Sequence, residues 1–261
     1  MNMKKTLWIA LLSVGTVSVL SAQEKKQYPQ PEPMTPGMSE FWEPQPRIVS
    51  PGDEDIPFLA PPSDAIVLLG ADDRAADRWQ SRGSDAPAPW KVENGVMTVV
   101  PHSGDIRTKQ EFGDCQLHIE WSTPTEIVGE SQGRGNSGVF LQGLYEIQIL
   151  DNYGNETYAN GQSGSIYKQT PPLVNACRKP GCWNSYDIIY TAPRFREDGS
   201  VQSHGRVTVL HNGVLVQNNT TILGTTEFIG FPKTIVHGKG PIILQDHHNP
   251  IRFRNIWIRE L

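Results

Sequence analysis

The residues best suited to chemistry lie on short alternating runs. Successive side chains of a β-strand point to opposite faces, so Tyr145-Glu146-Ile147-Gln148-Ile149-Leu150-Asp151 sets Glu146 and Gln148 on one face and Tyr145, Ile147 and Ile149 on the other. The preceding run repeats the pattern, with Asn136, Gly138, Phe140 and Gln142 opposed to Ser137, Val139 and Leu141. Only Gly143-Leu144 separates the two runs, and a hairpin there would bring Gln142, Glu146 and Gln148 side by side. Amides and one carboxylate among glycines and aromatics suit a neutral, hydroxyl-rich ligand, and Glu146 could move a proton. The alternative is an ordinary solvated sheet face.

A second cluster is Ile243-Leu244-Gln245-Asp246-His247-His248-Asn249, an apolar run ending in two histidines. Histidine titrates nearest neutrality, which suits it to proton transfer and to metal ligation. Neighbouring residues on extended chain point apart, so parity places His247 with Gln245; solvated loop histidines are the alternative. In Gly164-Ser165-Ile166-Tyr167-Lys168 the phenol and ammonium could donate to an oxyanion or lie on the surface. Arg107 and Arg134 carry the same ambiguity.

The elements that must position these groups are strands. From Ala65 onward the chain alternates in short runs divided by turn signals, with no convincing helical period. Asn94-Gly95 divides Trp90 to Val100 and Asn212-Gly213 divides Arg206 to Gln217, each the favoured chemistry of a tight hairpin. Further strands are expected at Gln116–Ser122, Ser137–Gln142, Tyr145–Leu150, Trp183–Thr191, Pro241–Gln245 and Ile251–Arg259. About ten strands in some 200 residues suit an all-β, two-sheet sandwich or jelly roll.

Residues 23–62 hold ten of the 21 prolines and no hydrophobic period, so an extended arm or linker is expected before a domain over 63–261. Residues 1–22 have the layout of a secretory signal peptide: Lys4-Lys5, an apolar run from Leu7 to Leu20, then Ser21-Ala22. A periplasmic or secreted protein without a transmembrane segment is expected. In an oxidising compartment Cys177 and Cys182, bracketing Arg178-Lys179-Pro180-Gly181, would form a short-loop disulfide, with free thiols or a zinc site as alternatives; Cys115 reads as a buried strand residue. The formal net charge of -5 offers no basic surface for phosphates and argues against nucleic acid as a partner.

Taken in order, Trp90-Lys91-Val92-Glu93-Asn94-Gly95-Val96, Asn136 to Gln142, Tyr145 to Asp151, Gly164 to Tyr167, Trp183 to Asp187, Gly240 to His247 and Phe253-Arg254-Asn255-Ile256 resemble the 3-keto-disaccharide hydrolase family. The resemblance runs from about Ala65 to Leu261. It implies a concanavalin A-like jelly roll, similar to family 16 glycoside hydrolases, and cleavage of glycosides whose sugar is oxidised at C3. Asp246-His247-His248-Asn249 departs from the family, which more often has glycine after its histidine, and the Cys177 to Cys182 insert is a second departure.

Conventional glycosidases need two carboxylates beside the anomeric carbon. Glu146 and Asp151 have opposite parity and stand up to roughly 17 Å apart along one strand, which suits that chemistry poorly. A ketone at C3 instead acidifies the C2 proton and places the C1 substituent β to the resulting carbanion. Glu146 or His247 would then be the base and the other would assist the leaving group. Arg107, Asn136, Gln142, Gln148, Tyr167, Lys168 and Gln245 are the candidate substrate-binding residues. A divalent cation held by Glu, His and Asp could replace the oxyanion donors. The partner expected is an oxidised saccharide; a carbohydrate-binding module of the same fold and a conventional glycoside hydrolase are the rival readings.

Overall fold

A computed structural model describes residues 32–52 and 59–261; the expected signal peptide lies outside the described residues. Fifteen strands follow in chain order. They are β1 (Ile66–Leu69), β2 (Trp79–Ser81), β3 (Lys91–Glu93), β4 (Val96–Thr98), β5 (Ile106–Phe112), β6 (Cys115–Ser122), β7 (Asn136–Leu141) and β8 (Tyr145–Leu150). The rest are β9 (Asn184–Thr191), β10 (Arg194–Phe195), β11 (Val201–Ser203), β12 (Arg206–His211), β13 (Val214–Thr221), β14 (Gly240–Leu244) and β15 (Arg252–Glu260).

One sheet has the order β13-β12-β9-β6-β15-β4-β3, with β1 also pairing with β15. The other is β2-β5-β14-β7-β8, and β10 pairs with β11 apart from both. Neighbours in both large sheets are antiparallel. The fold is a two-sheet, concanavalin A-like jelly-roll sandwich. Ile106, Val139, Leu141, Ile147, Ile149 and Leu244 of the five-stranded sheet are buried in one core with Leu117, Ile119, Trp121, Tyr186, Ile188 and Phe253 of the larger one. Both Asn-Gly pairs form tight turns with positive φ at each residue: Asn94 52° and Gly95 75°, Asn212 54° and Gly213 77°.

The hairpin of β7 and β8 pairs Gly138 with Gln148 and Phe140 with Glu146. The register continues outward, with Ile243 opposite both Phe140 and Arg107, and Arg107 opposite Gln80. Because Val139, Ile147 and Leu244 enter the core, Glu146, Gln148, Phe140 and Ile243 belong to the face turned away from it.

That outer face is covered beside β8. The 158–170 segment runs along the free edge of β8, with Gln148 N–H donating to Ser165 O, Gly164 N–H to Gln148 O and Tyr167 N–H to Glu146 O. Every residue of β8 is therefore buried, on both faces. Met34–Leu261 forms one compact unit, so the described part of the proline-rich arm from Met34 lies along the domain, with a short 3-10 turn at Pro36–Ser39 and a parallel bridge from Ile48 to Asn175. Among the described residues no helix is long and apolar enough to cross a membrane.

Candidate active site

A cavity of about 670 Å³ opens over the outer face of the five-stranded sheet. Glu146, Gln148, Asn136, Gln245, His247 and Tyr167 all line it. The hairpin of β7 and β8 supplies Asn136, Glu146 and Gln148, and the end of β14 leads into Gln245 and His247.

Glu146 is 3% exposed, and among the described residues its carboxyl has no hydrogen-bond partner. The carboxyl lies over Gly138, where any Cβ would collide with it. Glycine at this position is thus what leaves room for the acid. Burial, reinforced by the negative charge of Asp105, pushes Glu146 up to about 8. At neutral pH it holds a proton.

His247 is exposed on one side and lines the cavity on the other. Desolvation by the surrounding protein, with His248 adding to it, lowers its pKa, so the neutral imidazole prevails at pH 7. His248 turns elsewhere and stacks on His102, with ring centroids 4.2 Å apart. The two residues suited to proton transfer therefore have complementary protonation: a neutral acid and a neutral base share one cavity.

The amides form a connected cluster. Gln148 Nε2 donates to Gln132 Oε1 at 3.0 Å, and Asn136 Nδ2 donates to Gln132 O at 2.9 Å. Gln148 Oε1 is buried with no donor among the described residues, an acceptor left for a ligand hydroxyl. At the other side Tyr167 Oη lies 2.7 Å from Tyr158 Oη, and burial pushes the Tyr167 phenol up to about 12.

Four expectations drawn from the sequence do not hold in this geometry. Gln142 follows the last residue of β7 with φ 51°, which takes it out of the alternation. Its amide turns to the far end of the sandwich, donating to Phe112 O and Gly238 O and accepting from Tyr190 Oη. Lys168, also left-handed at φ 61°, is buried beside the cavity, bound to Pro36 O at 3.0 Å and paired with Glu40. Arg107 shares the outer face but lies on β5, three strands from β8, and pairs with Asp85 at 3.2 Å. Cys177 and Cys182 are free thiols. Cys177 Sγ turns inward, 3.7 Å from Leu150 O, and burial pushes its pKa up to about 12. Asp151 is held by Arg134 Nη2 at 2.5 Å and so is engaged away from proton transfer.

The sequence reading missed Arg82, Gln132, Tyr158, Thr226, Phe228, Pro36 and Glu40, which complete the lining with Phe140. Arg82 is tied to Asp105 at 2.8 Å. Parity alone could have found Arg82, since Gln80 and Arg82 alternate beside Asp105 and Arg107, but β2 and β5 were not expected as strands. Among the described residues no group of three or more His, Cys, Asp or Glu is arranged to hold a metal ion.

Residues 64–259 match the family of 3-keto-α-glucoside-1,2-lyase-like domains. The chain belongs to that family. A candidate glycosyl hydrolase from Parabacteroides distasonis ATCC 8503, solved at 2.13 Å, is 61% identical, with a TM-score of 0.75 over 87% of this chain and 97% of its own. A second from the same organism, solved at 1.70 Å, is 20% identical with a TM-score of 0.54, covering 76% of this chain and 94% of its own, and shares the fold. No match was found among curated proteins. The cavity thus belongs to a member of a glycosyl hydrolase-like, carbohydrate-acting family.

Proposed function

We propose that this protein cleaves glycosides oxidised at C3, by eliminating the C1 substituent and adding water to the product. The observation that carries this reading is the carboxyl of Glu146, unpartnered among the described residues, sharing a cavity with the neutral imidazole of His247. Environments that drive two titratable groups apart assign their roles. His247 takes the proton from C2. The electron pair moves into the C2–C3 enolate, whose oxygen meets donors from Gln245 and Arg82.

Collapse of the enolate breaks the bond from C1 to the aglycone oxygen, and the Glu146 proton goes to that oxygen. The sugar is left with a C1=C2 double bond conjugated to the ketone. Glu146, now a carboxylate, takes a proton from water as the oxygen adds to C1, and the imidazolium of His247 returns its proton to C2. Both groups end as they began. The net reaction is hydrolysis.

A conventional two-carboxyl hydrolase has one observation in its favour, since Glu40, ion-paired with Lys168, also lines the cavity. The two mechanisms separate on substrate. An enolate route needs the ketone, so a 3-keto-glycoside should react several orders of magnitude faster than its unoxidised parent, and C2 should exchange hydrogen with deuterated solvent. Comparable release of sugar from both substrates would favour the conventional route. Binding without any release would favour a carbohydrate-binding module.

A further inference from the structure

The cavity has two chemically different sides. Gln132, Asn136 and Gln148 contact one another on one side, as hydrogen-bonding groups. Tyr158, Tyr167, Phe228, Pro36 and Glu40 gather on the other, joined through Lys168, whose ammonium lies 4.1 Å from the Tyr158 ring centroid and 5.3 Å from that of Phe228. Glu146 belongs to both, since its neighbour on the strand face is Gln148 while its main chain is bonded to Tyr167 and Thr226.

Pro36 and Glu40 precede the matched domain, which begins at residue 64. Their position is fixed by buried groups of the domain itself. Asn160 Nδ2, wholly buried, donates to Ser39 O at 2.7 Å, and Gln162 Nε2 donates to Gln45 Oε1 at 3.0 Å. Farther along, Val49 N–H donates to Asn175 O at 2.8 Å and Asn175 N–H to Arg47 O at 2.9 Å. Lys168 is only 3% exposed, and its ion-pair partner is Glu40. A buried ammonium is costly unless paired, so the domain is built to receive this segment.

We infer that Pro36–Glu40 is a specificity-determining wall of the substrate cavity: with Phe228 and Tyr158 it forms the leaving-group subsite and selects glycosides whose aglycone presents an apolar ring face. The inference rests on the glycoside-cleaving reading above, in which the amides hold the sugar hydroxyls and the aglycone extends past Glu146 to the ring-lined side. Ring faces and a proline offer a flat apolar contact there, whereas a methyl aglycone would leave that contact unmade.

The test uses full-length protein with phenyl and methyl 3-keto-α-glucosides. Affinity is read by calorimetry on Glu146→Gln protein, in which turnover is suppressed, and turnover is read on the unaltered protein. The phenyl glycoside should bind at least 10-fold more tightly than the methyl one. Releasing the wall by Asn160→Ala with Gln162→Ala should reduce that ratio at least 5-fold. Pro36→Gly, which removes the ring from the wall and keeps the main-chain carbonyl that accepts from Lys168, should reduce it in the same direction and decides the matter should the double variant fail to fold. A ratio near one, or a ratio that both kinds of variant leave intact, overturns the inference. An arm-dependent ratio in a protein that turns over neither glycoside would refute the reaction while upholding the wall.

Discussion

Two buried glutamates, one on each sheet, have opposite surroundings. Glu120, on β6, is 0% exposed and fully engaged: Arg254 Nε lies 2.5 Å from one oxygen, and Asn255 Nδ2 at 2.7 Å and His118 Nε2 at 3.5 Å face the other. His118 in turn lies 2.7 Å from Asp187 and stacks on Trp257, while Arg254 sits 4.1 Å over Trp183. Burial disfavours the charge on Glu120, yet the bonds from His118, Asn255 and Arg254 override it and its pKa falls. Glu146 is as deeply buried with no such partners, and its pKa rises to about 8. One acid is held for structure; the other is left free for a ligand to use. A buried polar group without a partner is a cost to folding that a site retains for its chemistry.

The largest expected effect is on reaction at the free acid. Glu146→Gln should lower kcat/KM on a 3-keto-glycoside with a poor leaving group by about 100- to 10,000-fold, the usual contribution of a general acid or base. A nitrophenyl leaving group, which needs little protonation, should restore much of the loss. His247→Ala should lose activity on both substrates and should also lose C2 hydrogen exchange, which Glu146→Gln should keep. Exchange lost in Glu146→Gln and kept in His247→Ala would reverse the assigned roles. In the unaltered protein the rate should fall as pH rises through about 8, where Glu146 gives up its proton.

The next effect is on folding, with signs that separate the two acids. Glu120→Ala leaves Arg254 without its carboxylate and His118 with Asp187 alone, and should cost about 3 to 5 kcal/mol in urea denaturation, with unchanged turnover per folded molecule. Because its folded pKa is lowered, the contribution of Glu120 is present above its ordinary value of 4.5 and is lost as pH falls through the folded pKa. Glu146 behaves oppositely. Its folded pKa is raised, so the folded state keeps a proton that the unfolded chain releases, and stability falls as pH rises from 4.5 to about 8. Glu146→Gln should therefore be more stable than the parent above pH 8, by on the order of 5 kcal/mol, and no different at pH 4. His118 contributes on the alkaline side as well: burial opposes its charge, but Asp187 and Glu120 raise it to about 9, and its stabilisation, complete below 6.5, fades as pH climbs to 9.

Much of this was legible in the sequence because strands expose their pattern locally. Alternation placed Glu146 and Gln148 on one face and Ile147 and Ile149 in the core, and Asn-Gly marked two turns. Alternation fails where the backbone leaves the extended region, which is why Gln142 and Lys168, both at positive φ, were misplaced. Contacts made across long sequence distances were not legible at all. Nothing near Glu40 announces Lys168, and nothing in Asp105-Ile106-Arg107 shows that Arg82 and Asp246 N–H will share Asp105. The cysteines misled for a related reason: spacing permits a disulfide, whereas the surrounding fold decides where each sulfur points.

The smallest expected effect isolates how the free acid is seated. Gly138 is not among the residues of positive φ, so alanine there meets no backbone strain, and a strand disfavours alanine less than glycine. What it meets is the Glu146 carboxyl, which lies over the Gly138 Cα on the neighbouring strand. The flexible end of the side chain must move by rotating about its own bonds, away from the position it shares with Gln148 and Gln245. Gly138→Ala should therefore fold with a stability within about 1 kcal/mol of the parent, yet lose roughly 10-fold in kcat/KM on glycosides with poor leaving groups. It should lose far less with a nitrophenyl aglycone, since only the acid has moved. In the Glu146→Gln background the same change should add little, because two variants that disable one group are not additive. Losses that multiply in the double variant would show that Gly138 serves something other than the seating of Glu146. The corresponding change opposite Glu120 has no counterpart, because there the partners rather than a vacant Cβ hold the acid in place.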